Sequence, residues 1–102
     1  MICVIATIDL VAGGREEFLE EFRGLVPKVL AENGCLEYGP AIDVVTEISS
    51  QDPPRDDSVV VLEKWQDLAA LKAHLSAAHM LEYRPRVRRL VVRTRLQILA
   101  PA

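Results

Sequence analysis

The sequence predicts an α+β fold of the ferredoxin-like kind: β-α-β-β-α-β, with four antiparallel strands in one sheet and both helices on one of its faces. Three observations carry this. Apolar runs of strand character fall at residues 2–10, 35–45, 58–65 and about 90–99. Helical spacing follows the first and the third of them. The strands are also apolar on both faces, with Cys3 and Ile5 opposite Val4 and Ala6, and Val60 and Leu62 opposite Val59 and Val61. An apolar second face of a sheet is ordinarily covered. Two copies packed sheet to sheet would cover it, so a homodimer is expected.

The elements follow in order. In the first strand Ile2, Val4, Ala6, Ile8 and Leu10 share one face. Gly13-Gly14 turns the chain into a helix whose first turn carries Glu16 and Glu17, where the helix dipole favours negative charge. Phe18, Phe22, Leu25, Val26 and Val29 form its stripe. Pro27 predicts a kink or a break, and Asn33-Gly34 a left-handed stop. Gly39-Pro40 within the second strand predicts a bulge or an edge position. The polar stretch 46–57 is long for a hairpin, and it reads as a loose tip or as a lid over a pocket. The third strand ends at Trp65. Asp67 then caps a second helix over 67–77, with Leu68, Leu71, Leu75 and Ala78 as its apolar spacing. His79 to Arg84 adds a further helical turn before Pro85.

Composition sets the bounds. One domain over residues 1–102 is expected. The net charge of −3 argues against general nucleic-acid binding. No apolar run approaches the roughly 20 residues of a membrane span. Cys3 and Cys35 form neither a metal-ligand motif nor a disulfide framework, and a reducing cytoplasm is the expected setting. The N-terminus lacks the basic region of a signal peptide. Half the residues are hydrophobic, which again points to a second buried surface. Arginines crowd Arg84 to Arg95; they read as a solvated, ion-paired face or as a site for an anion. Arg93 and Arg95 share one face of the last strand, where they could line a barrel or pair across an interface.

The only Trp and both His lie between Val59 and Met80, and an active site is expected there. His74 is the first candidate, because an imidazole titrates near neutrality and can take a proton as a general base. His79 is a helix-end residue or a substrate contact. Trp65 and Glu63 share a strand face, so Trp65 could wall an aromatic pocket or serve as core, and Glu63 could orient His74 or pair with an arginine. Tyr38 and Tyr83 could donate hydrogen bonds to a substrate oxygen. No nucleophile–base motif and no phosphate loop is present. The two His lie five apart with no carboxylate at ligand spacing, so no metal is expected.

Several short motifs together resemble one family. They are Gly13-Gly14 followed by Phe18, Glu32-Asn33-Gly34-Cys35 followed by Tyr38, and Glu63-Lys64-Trp65. Ala73-His74-Leu75, His79-Met80 and Leu99-Ala100-Pro101 complete the set. In this order the chain resembles the antibiotic biosynthesis monooxygenase superfamily, and within it the small bacterial quinol monooxygenases. The resemblance implies a dimeric α+β barrel. It also implies oxidation of quinols or related electron-rich aromatics by O2 without metal, flavin or haem. Haem-degrading relatives use an Asn on the first strand with a Trp and a His. Here Thr7 stands where that Asn would be, which argues against haem degradation. A non-catalytic barrel holding a small apolar molecule is the alternative, and haem binding is a third reading.

Overall fold

A computed structural model describes residues 1–102. The order is β1 (Ile2–Leu10), α1 (Arg15–Leu30), β2 (Cys35–Ala41), β3 (Ser58–Trp65), α2 (Leu68–Leu75), α3 (Ala78–Val87), a 3-10 turn (Arg88–Leu90) and β4 (Val91–Leu99). The sheet runs β2-β3-β1-β4, and every neighbouring pair is antiparallel. This is the ferredoxin-like arrangement.

The period of two decides the faces. Val4, Ala6, Ile8 and Leu10 of β1 and Val59, Val61, Glu63 and Trp65 of β3 are buried on the helix side. Phe18, Phe22, Leu25 and Val29 of α1 close over them, joined by Leu19. Val26 sits at the edge of the stripe, half-buried. Pro40 lies on β2, an edge strand whose only partner is β3, so its missing N–H breaks no ladder. The irregularity in that pairing falls at Cys35/Glu37 and not at Pro40.

Three expectations are corrected and one is narrowed. Of the kink or break expected at Pro27, the break does not occur, since helix α1 runs through it. Proline removes the donor for the carbonyl four residues earlier, that of Arg23, and Arg23 is exposed, so water can take the place of the N–H. The helix then ends at Leu30, before Asn33-Gly34, and Gly34 takes φ of +83° in the turn that follows. The second strand stops at Ala41 and not at residue 45. The single turn expected after His79 is a ten-residue helix passing through Pro85, where the freed carbonyl belongs to exposed Leu81. Met80, Tyr83 and Val87 bury its inner face.

In α2 the Asp67 cap forms as expected, its carboxylate accepting from the Ala70 N–H at 2.8 Å. The apolar stripe does not. Leu71 and His74 are the buried pair, while Leu68 and Leu75 stay more than two-fifths exposed. A two-turn helix packs only one narrow edge on β3, and that edge runs through His74.

The helices cover β1, β2 and β3 but not β4. Leu96 and Ile98 point to the helix side, paired with Ala6 and Val4, yet remain half exposed. On the opposite face Arg93 and Arg95 both hold Asp9, at 3.0 and 3.2 Å. Those hydrogen bonds, with that of Ser58, hold the Asp9 carboxyl below its usual range.

Candidate active site

A cavity of about 480 Å³ lies between the helices and the sheet, within the range of small-molecule sites. Phe18, Phe22, Val61, Met80 and Val87 form much of its wall. Four buried side chains with polar tips enter it: Glu63 from β3, Tyr38 from the neighbouring position on β2, His74 from α2 and Tyr83 from α3. All four are at least nine-tenths buried.

The hydrogen bonds show which atoms are free. His74 Nδ1 lies 2.8 Å from Glu32 Oε2. Glu63 Oε1 accepts from Trp65 Nε1–H at 2.9 Å. Neither Nε2 of His74, nor Oε2 of Glu63, nor either tyrosine hydroxyl bonds within the protein. No side-chain nitrogen or oxygen is both sealed from solvent and unpaired, so these four tips keep contact with the cavity. They are the groups available to a ligand.

Glu32 is the residue that sequence reasoning missed. It stands in the turn after α1, 42 residues from His74 and 47 from His79. Its Oε2 meets His79 Nε2 at 2.7 Å as well. As a carboxylate it accepts from both rings. That fixes His74 with its proton on Nδ1 and its lone pair on Nε2. Burial lowers the His74 pKa from its ordinary value, and the Glu32 hydrogen bond opposes that shift without overcoming it. At neutral pH His74 is therefore a neutral base.

The remaining candidates separate into two groups. His74, Glu63, Tyr38 and Tyr83 line the cavity; Trp65 and His79 do not. Trp65 is fully buried behind them, its ring 4.6 Å from that of His74 and 6.5 Å from Tyr38. His79 lies in the first turn of α3, held by Glu32. The buried Glu63 takes Trp65 as its partner, neither His74 nor an arginine, and burial raises its pKa. Burial also pushes both tyrosine hydroxyls above their usual range, so they are donors and not phenolates. No residue of the long loop lines the cavity. Arg55 pairs there with Asp43 at 2.8 Å, which holds the Asp43 carboxyl down at about 2.

The expectation of no metal rested on spacing along the chain, and the fold removes that ground. Glu32, His74 and His79 bring one ligand atom each within 4.8 Å of one another, a set that could hold a divalent ion. Binding one would require both histidines to give up the oxygen they already share.

A ferredoxin-like layer with an aromatic-walled cavity and a buried, carboxylate-held histidine defines a class: small α+β proteins with a pocket between sheet and helices. Comparison gives the family. The antibiotic biosynthesis monooxygenase model matches residues 1–86, and the chain belongs to that family. It is 38% identical over 103 residues to "Probable quinol monooxygenase YgiN" of Escherichia coli (strain K12), spanning 99% of this chain and 98% of that one. "Putative monooxygenase YcnE" of Bacillus subtilis (strain 168) is 37% identical over 79 residues, covering 78% of this chain and 74% of its own. Among solved structures, PA3566 from Pseudomonas aeruginosa superposes with a TM-score of 0.79 at 29% identity, over 99% of this chain and 93% of that one. A conserved protein from Methanosarcina mazei Go1 reaches 0.82 at 24% identity, over 99% and 92%, and shares the fold.

Proposed function

We propose that this protein is a cofactor-independent monooxygenase that oxidises quinols or related electron-rich aromatics with O2. One observation carries the reading. A neutral imidazole, its tautomer set by Glu32, presents a free nitrogen to an aromatic-walled cavity beside two hydroxyl donors.

The chemistry follows from the spin of oxygen. Ground-state O2 is a triplet and reacts slowly with closed-shell molecules, but a quinolate can pass it one electron. His74 Nε2 takes the phenolic proton. Tyr38 or Tyr83 donates to the second quinol oxygen. The quinolate gives one electron to O2, forming a semiquinone and superoxide, which combine in a C–O bond. The proton held by His74 returns to the peroxide; the O–O bond then breaks as the ring carbon that bears it loses its C–H proton, which leaves a carbonyl there and releases water. One oxygen atom remains in a hydroxyquinone and the other leaves in water, all four electrons having come from the quinol. The apolar walls keep bulk water from the intermediate. Glu63, His79 and Trp65 act as support: Trp65 packs the His74 ring, and Glu63 offers a second acid–base group.

The exposed apolar residues of β4 and the half-buried outer row Cys3, Ile5 and Val60 support a homodimer. Two free cysteines suit a reducing cytoplasm. A ligand-binding barrel without catalysis would need no free base, and a cavity of aliphatic groups alone would have favoured it.

The test is oxygen uptake by metal-stripped protein on a panel of reduced quinols, corrected for autoxidation, beside His74→Ala. Uptake above background, insensitive to chelator, lost in the variant, and leaving one labelled atom in the product from isotopic O2 is the expected result. Uptake retained by the variant removes His74 as base. No uptake on any quinol overturns the oxygenase reading.

A further inference from the structure

Six arginines crowd Arg84 to Arg95, and carboxylates account for four. Arg86 pairs with Glu21 at 3.2 Å, Arg89 with Glu17, and Arg93 and Arg95 with Asp9. The other two, Arg84 and Arg88, have no acidic partner, and they are the two that line the cavity. They stand four residues apart on α3 and its cap, so they share one side of the helix. Arg84 donates to the Leu75 carbonyl at 2.5 Å, which pins its guanidinium at the seam between α2 and α3. Arg88 is exposed and makes no hydrogen bond.

The lining is uneven in its exposure. His74 and Glu63 are buried, and Arg84 is half-buried. Arg88, Thr94 and half-exposed Leu96 meet solvent and mark the mouth, where β4 is uncovered. The one acid in the lining is Glu63, on buried β3. The whole chain carries a net charge of −3, so this mouth attracts anions against the overall field. Two guanidiniums with no carboxylate partner suit a planar oxyanion taken in forked geometry.

We propose that Arg84 and Arg88 form an anion subsite, and that the preferred substrates are phenols or quinols that also bear a carboxylate or sulfonate. This rests on reading the cavity as the active site, and it adds to that reading the charge of the substrate.

The test uses probes that are not oxidised. Under nitrogen, isothermal titration calorimetry compares 6-hydroxy-2-naphthoate with 2-naphthol on wild type, Arg88→Gln, Arg88→Lys and Arg84→Gln/Arg88→Gln. The carboxylate should bind about tenfold tighter in wild type, the scale of one charge-assisted hydrogen-bonded pair. The preference should shrink in Arg88→Gln, survive in Arg88→Lys and vanish in the double variant, with 2-naphthol unchanged throughout. Equal affinities in wild type, a preference that outlives both substitutions, or parallel loss of both ligands would overturn it. Binding is read without turnover. A carboxylate preference with no oxygen uptake therefore upholds the subsite while the oxygenase reading fails.

Discussion

Glu32→Gln is the sharpest perturbation, since it keeps the shape of the side chain and removes the charge that two histidines share. In the wild type the Glu32 carboxylate raises the His74 pKa against a larger lowering by burial. Removing it lets burial act with less opposition, so the His74 pKa falls further. A hydrogen bond to a charged partner contributes roughly 1.5–3 kcal/mol, and one pKa unit is about 1.4 kcal/mol. The Glu32 carboxyl is largely buried, so most of that applies, and the His74 pKa is expected to move down. Activity needs neutral His74, so the acid limb of the pH–rate profile should move to lower pH. The plateau should nonetheless fall about 10- to 100-fold, part of the usual contribution of a general base, because the base is weaker and its tautomer no longer fixed. KM should change little, since Glu32 does not line the cavity. The assay is initial oxygen uptake from pH 5 to 9 on one naphthohydroquinone, with autoxidation subtracted at each pH. An acid limb that stays in place or moves up would refute the argument, as would a loss carried by KM alone.

Other outcomes follow from single residues. Burial raises the Glu63 pKa above 4.5, so the stability it contributes is full below that pH and is lost as pH rises through the folded value; thermal melts of Glu63→Gln should therefore gain on wild type between pH 4.5 and pH 8. Gly34→Ala places a Cβ 2.7 Å from that of Ala70 at φ +83°, and should cost about 2–3 kcal/mol, on the order of 10 °C in Tm. Sedimentation velocity should show a dimer, and Ile5→Arg on the outer face of β1 should convert it to monomer while leaving the far-UV spectrum unchanged; a wild type that sediments as monomer would end the homodimer reading.

Much of the fold was legible because short-range chemistry wrote it. Val59 to Leu62 can scarcely be anything but a strand, and Asp67 names its own helix start. Helix α3 is longer than its sequence suggests because Pro85 reads as a stop, and only the exposure of Leu81 shows why the helix tolerates it. The sequence does not show which leucines of α2 are buried, because a leucine counts the same whether it meets core or the mouth of a cavity. His74, Glu63, Tyr38 and Tyr83 were legible as chemistry-bearing residues, and the sheet register brings Tyr38 beside Glu63. Glu32 was not. It is a lone acid before Asn33-Gly34, and nothing local to it announces two histidines more than forty residues away.

The place of β1 in the sheet has a consequence for how the molecule is made. It is an inner strand, yet neither neighbour lies near it in the chain: β3 begins at Ser58 and β4 at Val91. On the ribosome β1 emerges with both edges bare and holds no partner until more than half the chain has followed. Its second edge closes a separation of 86 residues, as Arg95 reaches Asp9. Such non-local closure is slow, and unpaired apolar edges invite association with other chains. A chain cut after Val87 would keep its helices and lose the strand that seals β1. Its failure should appear as aggregation during synthesis and not as a lowered melting point.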